Sequence, residues 1–134
     1  MAKKSKKLVL LDTNILIALL RGEIREQKEV NDYLGYEKTA ICTVSILEIF
    51  YGMFKNEEKA TKTGLKLFNK IHLDKEICLK AIEIMLAYPS NRPALPDCLI
   101  AATSIVCNAE LYTHNKKDFD YIKGVKLYKP RSVN

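Results

Sequence analysis

Three stretches of this chain each hold a single charge inside an otherwise apolar run. LVLLDTNILIALL carries Asp12 beside Thr13 and Asn14, ICTVSILEIFYGMF carries Glu48, and ALPDCLIAATSIVC carries Asp97. An unpaired buried carboxylate is costly unless something compensates it, and no Lys or Arg lies within these stretches. Two structural accounts compete with a chemical one. Each acid can cap a helix or sit in its first turn, which suits Asp12 and Asp97 but not Glu48 in mid-helix. Each can also find a basic partner far off in sequence. Together, three such acids at element ends point to a shared ligand of positive charge. Carboxylates without a Cys or His array favour a hard divalent cation, Mg²⁺ or Mn²⁺. A fourth acid is harder to choose. HNKKDFDYIK offers Asp118 and Asp120, and spacing alone neither decides between them nor excludes that both are surface acids.

These acids need elements to position them. Hydrophobic patterning predicts short apolar strands at 7–11, 39–43, 110–113 and 125–128. Helices are expected at 12–20, with Asp12-Thr13-Asn14 as cap and Gly22 as stop, and at 25–36, ending at Gly35. Ser45 can cap a helix running through ILEIFYGMF. Segment 55–70 reads as a charged surface helix, 74–88 as a helix broken by Pro89, and 97–107 as the last helix, entered through the loop SNRPALP. Strands alternating with helices imply an α/β fold, a three-layer α/β/α sandwich around a mainly parallel sheet. Such sheets place ligands at the carboxyl ends of their strands, where Asp12 falls.

The totals bound the class. A chain of 134 residues, 48% apolar, is one domain's worth with material for a core. We expect a single domain over 1–134 with a flexible basic tail over 1–6. Four of the positive charges behind the net +6 stand in or beside it, at Lys3, Lys4, Lys6 and Lys7. Such a tail suits phosphate contact or plain solubility. Cys42, Cys78, Cys98 and Cys107 lack C-x-x-C spacing and sit in apolar surroundings, as small reduced core residues do. No apolar run reaches the roughly 20 residues that span a bilayer. The expectation is a soluble, cytoplasmic protein with no membrane partner.

With these residues in view, the chain resembles the PIN-domain family, and within it the VapC-type toxins. The resemblance rests on LLDTNILI, the lone Glu48 after the second strand, PDCLIAAT and LYTHNKKDF, in this order along nearly the whole chain. It implies a PIN-like fold and a metal-dependent endoribonuclease whose products carry a 5′-phosphate and a 3′-hydroxyl. It places the family's acids on Asp12, Glu48 and Asp97, with the less regular fourth on Asp118, as metal-binding and catalytic groups. Asn14, Thr113 and Asn115 fall on supporting polar positions, and Thr13 can orient acids or substrate beside them. His114 lies where the family varies and is expected to be an exposed loop histidine. The resemblance also implies an RNA substrate, a homodimer and a VapB-like antitoxin whose tail can lie across the acids.

Other readings are weaker. A histidine-driven ribonuclease has only His72 and His114. A haloacid-dehalogenase-like phosphatase needs an Asp where Asn14 stands, and a receiver domain needs an acidic pair that Asp12 alone does not supply. A non-catalytic PIN-like module binding RNA or protein, and a PIN nuclease of RNA maturation without an antitoxin, stay open. Arg92 can meet a phosphate or simply be solvated. The helix carrying Phe50, Tyr51, Met53 and Phe54 is apolar nearly all round, so either a neighbouring helix or a second chain should cover it.

Overall fold

The computed structural model describes residues 7–132; the basic tail expected over 1–6 lies outside them. Four parallel strands form the central sheet: β1 (Val9–Leu11), β2 (Thr39–Cys42), β3 (Asn69–Ile71) and β4 (Glu110–Tyr112), in the order β3-β2-β1-β4. β1 and β2 are buried at every position, which is why they read as unbroken apolar runs rather than as alternation. Successive side chains point to opposite faces. Leu10, Ala40, Cys42 and Leu111 pack on one face, with Ile77, Ala81 and Ile84 of α5 (Lys75–Ala87) and Ile100 and Ala101 of α6 (Leu95–Val106). Val9, Leu11, Ile41 and Tyr112 pack on the other. There they meet Ile15, Leu16 and Leu19 of α1 (Thr13–Leu20) and Ile49 of α3 (Thr43–Gly52). Helices thus cover both faces, as the alternating pattern implies.

The second face is completed by α2 (Ile24–Glu29), which runs into a π-helical turn at Val30–Leu34 before Gly35. Gly35 has φ +84, a backbone conformation that residues with a Cβ rarely adopt. Glycine is therefore required at this stop. The chain works outward from β1 to β2 and β3, then returns to place β4 on the other side of β1. The sheet's topological switch lies between β1 and β4, and its carboxyl edge there is the place for a ligand.

Five expectations are corrected. Segment 55–70 is not one helix: a 3-10 turn at Lys55–Glu57, α4 (Glu58–Leu65) and the edge strand β3 share it with its neighbours. Asn69 and Lys70 are exposed on β3, so this strand carries no apolar signature. The Asn69 amide holds it by donating to the Glu37 and Thr39 carbonyls, both at 2.9 Å. Segment 125–128 forms only an isolated bridge, Leu127 against Leu111. Helix α3 starts at Thr43, before Ser45, so Ser45 is buried inside it rather than capping it. Helix α6 starts at Leu95 rather than at 97, with Pro96 in its first turn, and Asp97 sits in that first turn, one of the two places open to it. Among the cysteines, Cys42 and Cys98 are buried, but Cys78 and Cys107 are exposed.

One buried carboxylate has a structural duty that sequence patterning did not flag. Glu29, fully buried at the end of α2, accepts from the Tyr128 hydroxyl, the Arg131 amide (3.0 Å), the Ser132 amide (2.7 Å) and the Ser132 hydroxyl (2.6 Å). Burial pushes this carboxyl up, but the four donors outweigh it and hold it below its ordinary value. The last described turn of the chain is thereby tied to α2. Glu29→Ala strands these donors and should cost about 1–3 kcal/mol. Urea denaturation of the variant against wild type measures it.

Candidate functional site

Strand β1 delivers Asp12 to the carboxyl edge of the sheet, its backbone amide continuing the ladder to the Tyr112 carbonyl at 2.9 Å. Asp12 is the N-cap of α1. Its Oδ1 accepts from the Thr13 amide at 2.8 Å and its Oδ2 from the Thr113 hydroxyl at 2.7 Å. Both oxygens are fixed, and the residue is 5% exposed. Thr113, the first residue after β4, also accepts from the Asn115 amide at 2.9 Å. One hydroxyl thus joins the ends of two adjacent strands and the turn that follows.

Helix α3 brings Glu48 to the same edge. Its Oε1 accepts from the Thr13 hydroxyl at 2.7 Å, and Thr13 Oγ1 lies 2.9 Å from Ser45 Oγ. Glu48 is acceptor-only when ionised, so Thr13 donates to it and Ser45 donates to Thr13. Helix α6 supplies Asp97 from its first turn, and a 3-10 turn at Lys116–Asp118 supplies Asp118. Asp12, Thr13, Asn14, Glu48, Asp97, Asn115 and Asp118, with Ile17, line one open cleft of about 300 Å³. Asp120 is not among them. Glu48, Asn14, Asn115 and Asp118 are exposed within it rather than buried.

Among the described residues no Lys or Arg lines this cleft, and the electrostatics reflect that. Burial pushes Asp97 up from 3.8 to about 6, and the negative charges of Asp12, Asp118 and Glu48 add to it. Burial also raises Asp12, reinforced by Glu48 and Asp118, although its bonds from Thr113 and Thr13 oppose the shift. Capping α1 is therefore not enough to compensate Asp12. Among the described residues, no group of three or more His, Cys, Asp or Glu side chains is poised to hold a metal ion directly. The donors are hard oxygens only, a set suited to Mg²⁺ or Mn²⁺, and such ions commonly keep waters between themselves and some of their carboxylates.

Two site features escaped the sequence. Ser45 was assigned to a cap, yet it supports Thr13. His114 is partly exposed as expected, but its Nε2 lies 2.7 Å from Oε2 of the buried Glu26. Glu26, Val30 and Leu34 recur at four-residue spacing on one helix face, the one signal that could have marked Glu26 as buried. Arg92 donates from Nε to the Met85 carbonyl at 3.1 Å, which ties the loop before α6 to α5.

The raised Asp97 carboxyl predicts a pH effect on stability. Its folded value lies above its ordinary one, so protonation favours the folded state. That contribution is complete below about pH 4 and is lost as pH rises through about 6. Asp97→Asn cannot ionise, and should make the metal-free protein more stable at pH 7–8 by about 1–3 kcal/mol. The gain should vanish below about pH 4. Denaturation in EDTA across this range measures it.

Known proteins resemble this chain along most of its length. The family model described as PIN domain matches residues 9–125. Ribonuclease VapC1 of Methanocaldococcus jannaschii is 28% identical over 131 residues, which is 94% of this chain and 90% of that protein. Ribonuclease VapC10 of Mycobacterium tuberculosis is 31% identical over 121 residues, 89% of this chain and 91% of that protein. A toxin–antitoxin complex from Klebsiella pneumoniae contains a chain that superposes with a TM-score of 0.75 at 31% identity. The match covers 93% of this chain and 99% of that one. VapBC-1 from nontypeable Haemophilus influenzae superposes at 0.76 with 24% identity, over 91% of this chain and 97% of that one, a likeness of fold. A family model spanning most of the chain, and relatives of matching length and fold, establish that this chain belongs to the PIN-domain family.

Proposed function

We propose that this chain is a divalent-metal-dependent endoribonuclease and the toxin of a toxin–antitoxin pair. The observation that carries the reading is the meeting of four carboxylates in one cleft that, among the described residues, no basic side chain lines. Relatives named as ribonucleases and a neighbour solved as a toxin–antitoxin complex support it. A cytoplasmic site of action fits this reading. Among the described residues, no helix is long and apolar enough to cross a membrane.

Asp12, Glu48, Asp97 and Asp118 are the groups that would hold Mg²⁺ or Mn²⁺. The ion, when bound, would neutralise charge on the scissile phosphate and make a water acidic enough to attack phosphorus. The remaining work belongs to the chain. Thr113 and the Thr13 amide fix the Asp12 carboxylate, and Thr13, backed by Ser45, fixes Glu48. Asn14 and Asn115 line the cleft with polar side chains that can meet substrate oxygens. Asp97 is pushed up to about 6 by burial and by its acidic neighbours. A cation relieves the part due to those neighbours, so binding and ionisation favour one another.

The partner reading rests on exposed apolar surface. On α3, Tyr51 is 96% exposed and Leu47 59%, and Phe54 just beyond is 75% exposed. Neighbouring helices leave this face open, which favours cover by another chain over internal burial. A groove of about 310 Å³ between α1, α3 and α4, lined by Ile17, Leu20, Ile49, Met53 and Phe54, runs up to Glu48. It suits the apolar tail of an antitoxin, and a basic side chain carried there could reach the acids. The open face of α3 suits a second copy of the chain. A maturation nuclease without an antitoxin would have less need of either surface.

Three outcomes are expected. Asp12→Asn and Asp97→Asn should each abolish cleavage of RNA by purified, antitoxin-free protein while circular dichroism shows the fold retained. EDTA should stop wild-type cleavage, with Mg²⁺ or Mn²⁺ restoring it; full activity in EDTA would refute the metal assignment. Tyr51→Glu should lower the oligomeric mass measured by light scattering, and an unchanged mass would remove α3 from the interface.

A further inference from the structure

We infer that the Glu26–His114 pair is a clamp that sets the 113–115 turn from behind and thereby orients the Asp12 carboxylate. For its consequence in catalysis this rests on the reading of the cleft above; its geometry stands independently. The chain leaves β4 with neighbouring side chains on opposite sides. Thr113 donates to Asp12 and Asn115 lines the cleft, while His114 between them turns to Glu26. Glu26 lies in the first turn of α2 and is 4% exposed. Its Oε2 takes His114 Nε2 at 2.7 Å and Arg25 Nε at 3.3 Å. A carboxylate only accepts, so Nε2 carries the hydrogen and donates. The imidazole also stands edge-on to Tyr112, with ring centroids 6.0 Å apart and planes at 83°, so it is held from two directions.

Burial pushes the Glu26 carboxyl up, but the His114 bond, its own backbone amide and the charges of His114 and Arg25 bring it below its ordinary value. The anchor is therefore an anion with donors in place, not a buried acid awaiting a ligand. Its leverage is short. The Thr113 hydroxyl donates to Asp12 and accepts from the Asn115 amide, so a rotation of the backbone at 114 disturbs both bonds. Such bonds weaken steeply as their angles close. Residues that orient metal-site acids typically matter by about 10–100-fold. His114 is thus a positioning residue that acts through Thr113 and Asn115.

The test combines Mn²⁺-dependent RNA cleavage kinetics with ¹⁵N–¹H spectra of the metal-free full chain. His114→Ala should lower kcat by roughly 10–100-fold with KM little changed, and should move the Asn115 amide resonance. His114→Gln, whose side-chain amide can reach Glu26, should restore both. His114→Asn is too short to reach and should behave as the alanine variant does, which keeps the test available if alanine does not fold. Three results would each overturn the clamp: kcat within about twofold of wild type in the short variants, lost activity with the Asn115 amide unmoved, or failure of His114→Gln to restore. Asp12→Asn serves as the separate arm. If it cleaves RNA at the wild-type rate, the reading of the cleft falls, while the Asn115 resonance still decides the clamp.

Discussion

The constraint on which this structure turns is the cost of holding like charges together at the edge of a parallel sheet. Four carboxylates arrive from β1, α3, α6 and the turn after β4, and among the described residues no basic side chain meets them in the cleft. Their separation in sequence is essential. No local element could deliver them at once, whereas the switch between β1 and β4 brings the ends of distant strands side by side. The apolar layers on both faces supply the stability against which this repulsion is held. An unfolded chain would keep the acids apart and solvated, so their proximity opposes folding, and a cation bound under the proposed reading would relieve that cost.

The other buried acids show that burial alone does not create this strain. Glu29 and Glu26 are as inaccessible as Asp12, yet both titrate below their ordinary value, whereas Asp12 and Asp97 titrate above theirs. The difference lies in the donors. Glu29 gathers two backbone amides and two hydroxyls, and Glu26 gathers an imidazole and a guanidinium. Asp12 has two donors but three acidic companions in the cleft. A carboxylate satisfied by its own protein has finished its task in folding. One that burial and like charge both oppose has capacity left for a ligand.

Much of this was legible because the relevant signals were local. A polar triplet in LVLLDTNILIALL marks the junction of a buried strand and a helix cap, and Asp12 occupies that junction. Glu48 stands out as the one charge in an apolar helix, and it turns out to be exposed at the cleft rather than buried. What was not legible depended on long-range pairing. β3 is an edge strand, held partly through the Asn69 side chain, so nothing in its own residues announces a strand. Ser45 looks like a cap because only the fold shows that Thr13 lies across from it. Glu29 reads as a solvated helix acid until the segment near Tyr128 folds back onto it, and His114 reads as a loop residue until α2 is in place.

Helix α3 ties the chemistry to the partners. Glu48 points into the cleft, while Leu47 and Tyr51, one turn apart, stand open to solvent on another face of the same helix. The apolar groove that ends at Glu48 continues along the contact of α3 with α1 and α4. A chain settling in that groove would remove water from the surroundings of Glu48 and strengthen every charge interaction there. If it brought a cation of its own, it would relieve the carboxylates as a metal does and compete for the same negative potential. Under the proposed reading, inhibition then needs no separate regulatory site. The repulsion that makes the acids ready for a metal also makes them ready for a basic side chain, and the apolar face beside them decides which protein can present it.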